Sequence, residues 1–178
     1  MTDATDLTAI FQPMISSATG MPFAYRALVE GAGRRSFAAV AASLQPEQRP
    51  ALEVRRIELA IGGAVDAGLL DSDALLAIPV GAATGKSEAL LGHLFRVALQ
   101  HRFPTDRIIV EINADERGGL DCAALLAQAC AARGIAISLD GFAAGRSVSS
   151  CSRASRRASS SSTRPWCAIC MPATPAAG

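Results

Sequence analysis

Three short stretches combine residue types that could do chemistry. The first, GAATGKS at 81–87, follows an apolar run and precedes a helical one, the context of a phosphate-binding loop. Such a loop needs four residues between its glycines so that successive backbone N–H groups wrap the phosphates, and only three separate Gly81 from Gly85. The stretch therefore reads as a strand-to-helix connection, with Ser87 as N-cap and Glu88 in the first turn. The second, Cys167-Ala-Ile-Cys170, has the spacing of half a zinc site or a redox pair. Zinc needs further ligands, and the two histidines of the chain, His93 and His101, belong to no matching pattern. The third, Arg153-Ala-Ser-Arg156-Arg157, could meet phosphate or be phosphorylated on serine, but it has neither interleaved aromatics nor a folded module around it.

Positioning such residues requires a core, and 178 residues with 50% hydrophobic and 19% charged side chains suffice for one domain. They are few for a closed eight-stranded α/β barrel, which takes roughly 250 residues. Residues 7–15, LTAIFQPMI, read as a strand, and the loop SSATG joins them to a second apolar run at 21–29, which predicts a hairpin. Pro50 opens a helix that ends near Gly68, with Leu52, Ile57, Leu59, Ile61 and Val65 as its apolar stripe and Glu53, Arg55, Arg56 and Glu58 as its polar side.

Strand 74–80, helix 87–102, strand 106–113, helix 120–133 closed by Gly134, and strand 135–140 then alternate. This order predicts parallel pairing and an α/β sheet or barrel in which the opening hairpin is the one antiparallel element. Cys122 and Cys130 fall within the last helix.

After residue 147 the composition turns to Ser, Arg and Pro with almost no Leu, Ile or Val, so the chain divides into a domain at 1–147 and a disordered tail at 148–178. A second reading of the tail is a slipped reading frame, since the alternation stops where the next helix should begin. Setting aside the tail arginines 153, 156, 157 and 164 leaves 13 basic residues against 16 acidic ones, a balance that gives no attraction to nucleic acid or anionic membrane. No apolar run is long enough to span a bilayer, and the start MTDATD lacks the basic residues of a secretory signal, which points to the cytoplasm.

Phe11-Gln12-Pro13-Met14-Ile15, then Ala24-Tyr25-Arg26-Ala27-Leu28-Val29, resemble the opening of the EAL family of bacterial cyclic-diguanylate phosphodiesterases, which read Q-P-I and then E-A-L-x-R. The Arg-Arg pair in helix 51–70, IIVEIN at 108–113 and ISLDGFAAGRS at 137–147 match later family segments in order. The resemblance covers residues 7–147. It implies a modified (β/α) barrel with an initial antiparallel strand, here degenerate and incomplete at its C-terminal side. It also implies carboxylates and an Asn at strand ends that hold two divalent cations, Mg²⁺ or Mn²⁺, for hydrolysis of one phosphodiester bond.

Carried over residue by residue, the motif is broken. The family's Glu falls on Arg26, its phosphate-binding Arg on Glu30, its Asn on Pro79, and the second of its paired aspartates on Gly141. Glu111 and Asp140 remain as remnants of the metal site, and Gln12 remains at the position the family uses beside the guanine base. The family's general-base lysine has no counterpart, because the one lysine of the chain is Lys86.

No catalytic set is intact, and no cofactor is expected unless family activity persists with Mg²⁺ or Mn²⁺. The expected role is an interaction or regulatory module in cyclic-di-GMP signalling, its partner another protein or a second copy met through the incomplete barrel. The strands at 108–112 and 135–139 are expected to leave an exposed edge or face. The broken site argues against cyclic-di-GMP binding. The alternatives are a non-hydrolysing cyclic-di-GMP receptor and an active phosphodiesterase. Glu111 and Asp140 also have a plainer reading as carboxylates at the open end of parallel strands, either of which could pair with Arg26 in place of a metal.

Overall fold

The computed structural model describes residues 6–81, 87–113 and 120–140, with residues 87, 113, 120, 121 and 140 described by their backbone alone. Strands β1 (Leu7–Ile15) and β2 (Pro22–Gly31) form the expected antiparallel hairpin, with Gln12 opposite Arg26. Its loop closes through Ser16 N–H donating to the Met21 carbonyl at 2.9 Å and Gly20 N–H to the Ser16 carbonyl at 2.8 Å. Gly20 takes φ 70°, a conformation that favours glycine.

Two short elements follow that the periodicity did not reveal: β3 (Arg35–Ser36) and α1 (Phe37–Ala42), the latter capped by the Ser36 hydroxyl accepting from Ala39 N–H at 3.2 Å. β3 pairs antiparallel with the end of β2, so the hairpin is not the one antiparallel element. Six residues are too few for an amphipathic period to register, and α1 is held by packing Val40 beside Leu7, Val29 and Leu52.

The long helix α2 (Arg49–Asp66) ends ahead of Gly68, which takes φ 77°. Then β4 (Leu75–Val80), α3 (Ser87–Gln100), β5 (Ile108–Asn113), α4 (Leu120–Ala131) and β6 (Ala136–Asp140) complete the expected alternation. The sheet order is β1-β2-β4-β5-β6, with β2, β4, β5 and β6 parallel to one another. β1 and β6 are the edges of this open sheet among the described residues. β5 lies between β4 and β6 with Ile108–Ile112 buried, so the exposed edge expected there falls on β6 and not on β5.

Period-two alternation sorts the strand residues. Leu76, Ile78, Ile108, Val110 and Ile112 pack under Ile57 and Ile61 of α2, Leu91 and Leu94 of α3, and Leu126 and Cys130 of α4. The opposite face carries a smaller cluster of Ala24, Ala77 and Ile109 with Met14, Leu75 and Ala136 against it. Cys130 is a core residue; desolvation pushes its thiol up to about 12 despite nearby Arg133, so it is an inert thiol at neutral pH.

Polar staples fix the connections. Arg107 Nη2 donates to the carbonyls of Leu69 at 2.8 Å and Ala74 at 2.6 Å, tying the entry of β5 to the loop before β4. The Arg133 guanidinium pairs with the Glu88 carboxylate, joining the end of α4 to the start of α3.

Truncating a side chain inside the three-helix layer should be costly and truncating one outside it should not. Ile61→Ala, at a fully buried position, should lower the unfolding free energy by about 2–5 kcal/mol in urea. Leu99→Ala, where the side chain is 80% exposed, should change it by less than about 0.5 kcal/mol.

Candidate functional site

The face of the sheet away from the helices carries every described remnant of the expected site. Arg26 shares the face of Ala24 by alternation along β2, and Glu111 shares that of Ile109 along β5. Between them stands β4, whose residue at the level of Arg26 is Ala77 and whose residue at the level of Glu111 is Pro79. Both are small, so nothing on β4 keeps the long Arg26 side chain from crossing to β5. Arg26 Nε lies 2.6 Å from Glu111 Oε2.

Glu111 is 6% exposed, whereas the Arg26 side chain keeps 29% of its surface in solvent. An ionised carboxylate that deep needs a compensating charge, and a guanidinium, always protonated, supplies one. Gln12, directly across from Arg26 on the edge strand, is exposed. Ser138 of β6, in register with Glu111, is buried.

Pro79 has a second consequence. Without a backbone N–H it cannot extend a ladder, and a proline within an interior strand is ordinarily disfavoured. The β2–β4 ladder stops at Arg26 and Ala77, two residues before it, whereas β4 continues to pair with β5 as far as Val80.

Into the position left on the β2 side comes Arg56 of α2, whose Nη1 donates to the Pro79 carbonyl at 2.6 Å. Its Nη2 donates to Glu53 Oε1 at 3.2 Å, and its guanidinium carbon stands 3.3 Å from the centre of the Phe37 ring. Glu53 and Arg56 are thus largely buried and not, as their polarity suggested, on the solvent side of α2. Their signal was not in the helical period, because the acceptor that draws Arg56 inward lies 23 residues away.

Of the residues singled out from sequence, the structure brings Gln12, Arg26, Pro79 and Glu111 onto neighbouring strands. Glu30, at the position of the family's arginine, lies further along β2 and faces Arg34, Nε to Oε2 at 3.6 Å, at a mostly exposed site. Asp140 ends β6 with its backbone in register with Asn113. Gly141, Lys86, the interior of the 81–87 loop, the arginine cluster and Cys167 and Cys170 lie outside the described residues.

Of the two pairings open to Arg26, the one with Glu111 is formed. Two divalent cations do not fit these residues: the best-buried carboxylate already holds a guanidinium, and the neighbouring strand presents a proline without a side-chain oxygen. Among the described residues no three of His, Cys, Asp and Glu are grouped to hold a metal ion. A groove of about 410 Å³ lined by Arg55, Glu58, Asp66, Gln100 and His101 opens between α2 and α3, on the helical side of the sheet.

No protein-family profile and no curated protein matches the sequence. Solved structures do match. The chain is similar to a standalone EAL protein of Vibrio cholerae O395 in its c-di-GMP-bound form, with 23% identity and a TM-score of 0.65 over 80% of this chain and 60% of that one. It is similar to BlrP1 of Klebsiella pneumoniae in a calcium and cyclic-diGMP complex, with 18% identity and a TM-score of 0.72 over 86% of this chain and 39% of that one. A Bacillus subtilis protein with an EAL domain, YkuI, bound to c-di-GMP and calcium, matches with 18% identity and a TM-score of 0.67 over 86% and 40% of the two chains. The chain therefore spans about 60% of the first of these proteins and about 40% of the other two. At these identities the likeness is one of fold: an EAL-like α/β domain whose described strands do not close into a barrel.

Arg26→Met should lower stability by about 1–3 kcal/mol in urea unfolding, because it leaves the Glu111 carboxylate buried without its guanidinium. Combining it with Glu111→Leu should recover part of that loss. Losses that simply add in the double variant would show that the pair is not coupled.

Proposed function

We propose that this chain, a domain of EAL-like fold, does not hydrolyse cyclic di-GMP and serves as an interaction or regulatory module in bacterial cyclic-di-GMP signalling. One observation carries the reading: the Arg26 guanidinium lies 2.6 Å from Glu111, the carboxylate that matches the family's metal-binding strand. Family hydrolysis as the resemblance implies it needs cations among carboxylates, and a permanent positive charge at this point repels them.

A module of this kind works through its surface. Among the described residues β1 and β6 are the edge strands, and an edge strand can pair with another protein or with a second copy. Among the described residues no helix is long and apolar enough to cross a membrane.

The second reading, a non-hydrolysing cyclic-di-GMP receptor, is favoured by the ligands of the three structures described above, all of which hold that dinucleotide. Here Gln12 and Arg26 sit opposite one another on β1 and β2, an amide and a cation, the types of group that can meet a base and a phosphate. The doubt about cyclic-di-GMP binding raised by the broken motif finds no support in those structures.

The two readings separate in one assay series. Incubation with cyclic di-GMP and Mg²⁺ or Mn²⁺ should give no linear dinucleotide by chromatography; turnover that disappears in Glu111→Gln would overturn the proposal. Calorimetric titration with cyclic di-GMP should show no binding for the interaction module. Binding without turnover that weakens about tenfold or more in Gln12→Ala, a loss of about 1.4 kcal/mol, would establish the receptor instead.

A further inference from the structure

We infer that Arg26 is the resident cation of the sheet face away from the helices: its guanidinium holds the Glu111 carboxylate in the charge-compensated state that a divalent ion would otherwise provide, so the site takes no Mg²⁺ or Mn²⁺. The inference goes beyond the proposed function, since it concerns what stabilises the site and not what the domain binds or turns over. It also fails separately. A protein that bound Mn²⁺ at Glu111 without hydrolysing cyclic di-GMP would leave the proposed function standing and remove this inference.

Three features of the structure support it. Glu111 is 6% exposed, so an ion entering beside it must displace a charge partner already 2.6 Å away and not merely water. The two β4 residues that lie between β2 and β5 at the levels of Arg26 and Glu111 are Ala77 and Pro79, which clear the path for the arginine and offer no side-chain oxygen to an ion. The Arg26 side chain keeps 29% of its surface in solvent, yet its Nε and Glu111 Oε2 are both buried, so the contact itself is shielded from water.

The same geometry predicts what a single reversal of charge would do. Arg26→Glu places two carboxylates where a carboxylate and a guanidinium now meet. Their repulsion destabilises the fold until a divalent cation bridges them.

The test uses the full chain, melted by circular dichroism in EDTA and in Mn²⁺ up to 10 mM, with bound Mn²⁺ counted by electron paramagnetic resonance. The wild type should melt within about 1 °C of the same temperature in both conditions, whereas Arg26→Glu should melt lower in EDTA and rise by about 3 °C or more with Mn²⁺. The rise should vanish in Arg26→Glu combined with Glu111→Gln, which locates the ion.

An Arg26→Glu protein that melts cooperatively yet ignores Mn²⁺ would overturn the inference. If that variant does not fold, the count of bound Mn²⁺ decides the question on its own. Wild type and Glu111→Gln should bind equal numbers of ions, and one more ion on the wild type would show that Glu111 is open to metal and that Arg26 is not its cation.

Discussion

A carboxylate removed from water requires a positive charge beside it, and the sheet face away from the helices is organised around the residue that supplies one to Glu111. The requirement originates in the register. β5 is an interior strand whose alternate residues Ile108, Val110 and Ile112 feed the helical layer, so Glu111 is committed to the other face and cannot be turned outward by a slip without burying polar groups in the core. Arg26 answers it from two strands away because the residues between are small. The ion pair is therefore a property of three strands held in register, and it reports on their assembly more than on any one of them.

Pro79 links that face to the helices. The β2–β4 ladder ends at Arg26 and Ala77, and beyond it the carbonyl of Pro79 accepts a hydrogen bond from a helix residue, Arg56. Arg56 can do so because Glu53 balances its charge one turn earlier and Phe37 covers its guanidinium. The short elements β3 and α1 then have a physical reason to exist: once β2 parts from β4, its end pairs with β3 instead, and α1 brings Phe37 to the arginine. Two arginines thus stabilise the sheet on its two sides, one through a carboxylate and one through a carbonyl.

The alternation of strands and helices was legible because it rests on local periods and on glycines at element ends; Gly68 and Gly134 both adopt the positive φ expected of residues that stop a helix. The hairpin was legible for the same reason. What escaped was set by distant partners. The polarity of Glu53 and Arg56 argued for solvent, and only a carbonyl on another element reverses that. For Arg26 the residue type made pairing with a strand-end carboxylate foreseeable, but the choice between Glu111 and Asp140 depends on which strand lies next to β4, a fact of topology that no window of sequence contains.

A guanidinium and a divalent cation both neutralise buried carboxylate charge, yet they are not chemically interchangeable. The metal has open coordination positions, acidifies a bound water and can hold an attacking and a leaving oxygen at once. Arginine has only donors in a fixed plane, does not give up its proton near neutrality and accepts no ligand. In the function proposed above, Arg26 beside Glu111 keeps the electrostatic half of what a metal does for a fold without supplying the catalytic half. A domain built this way can retain the EAL-like arrangement of strands and leave the same face to other uses, since Gln12 and part of Arg26 both meet solvent there.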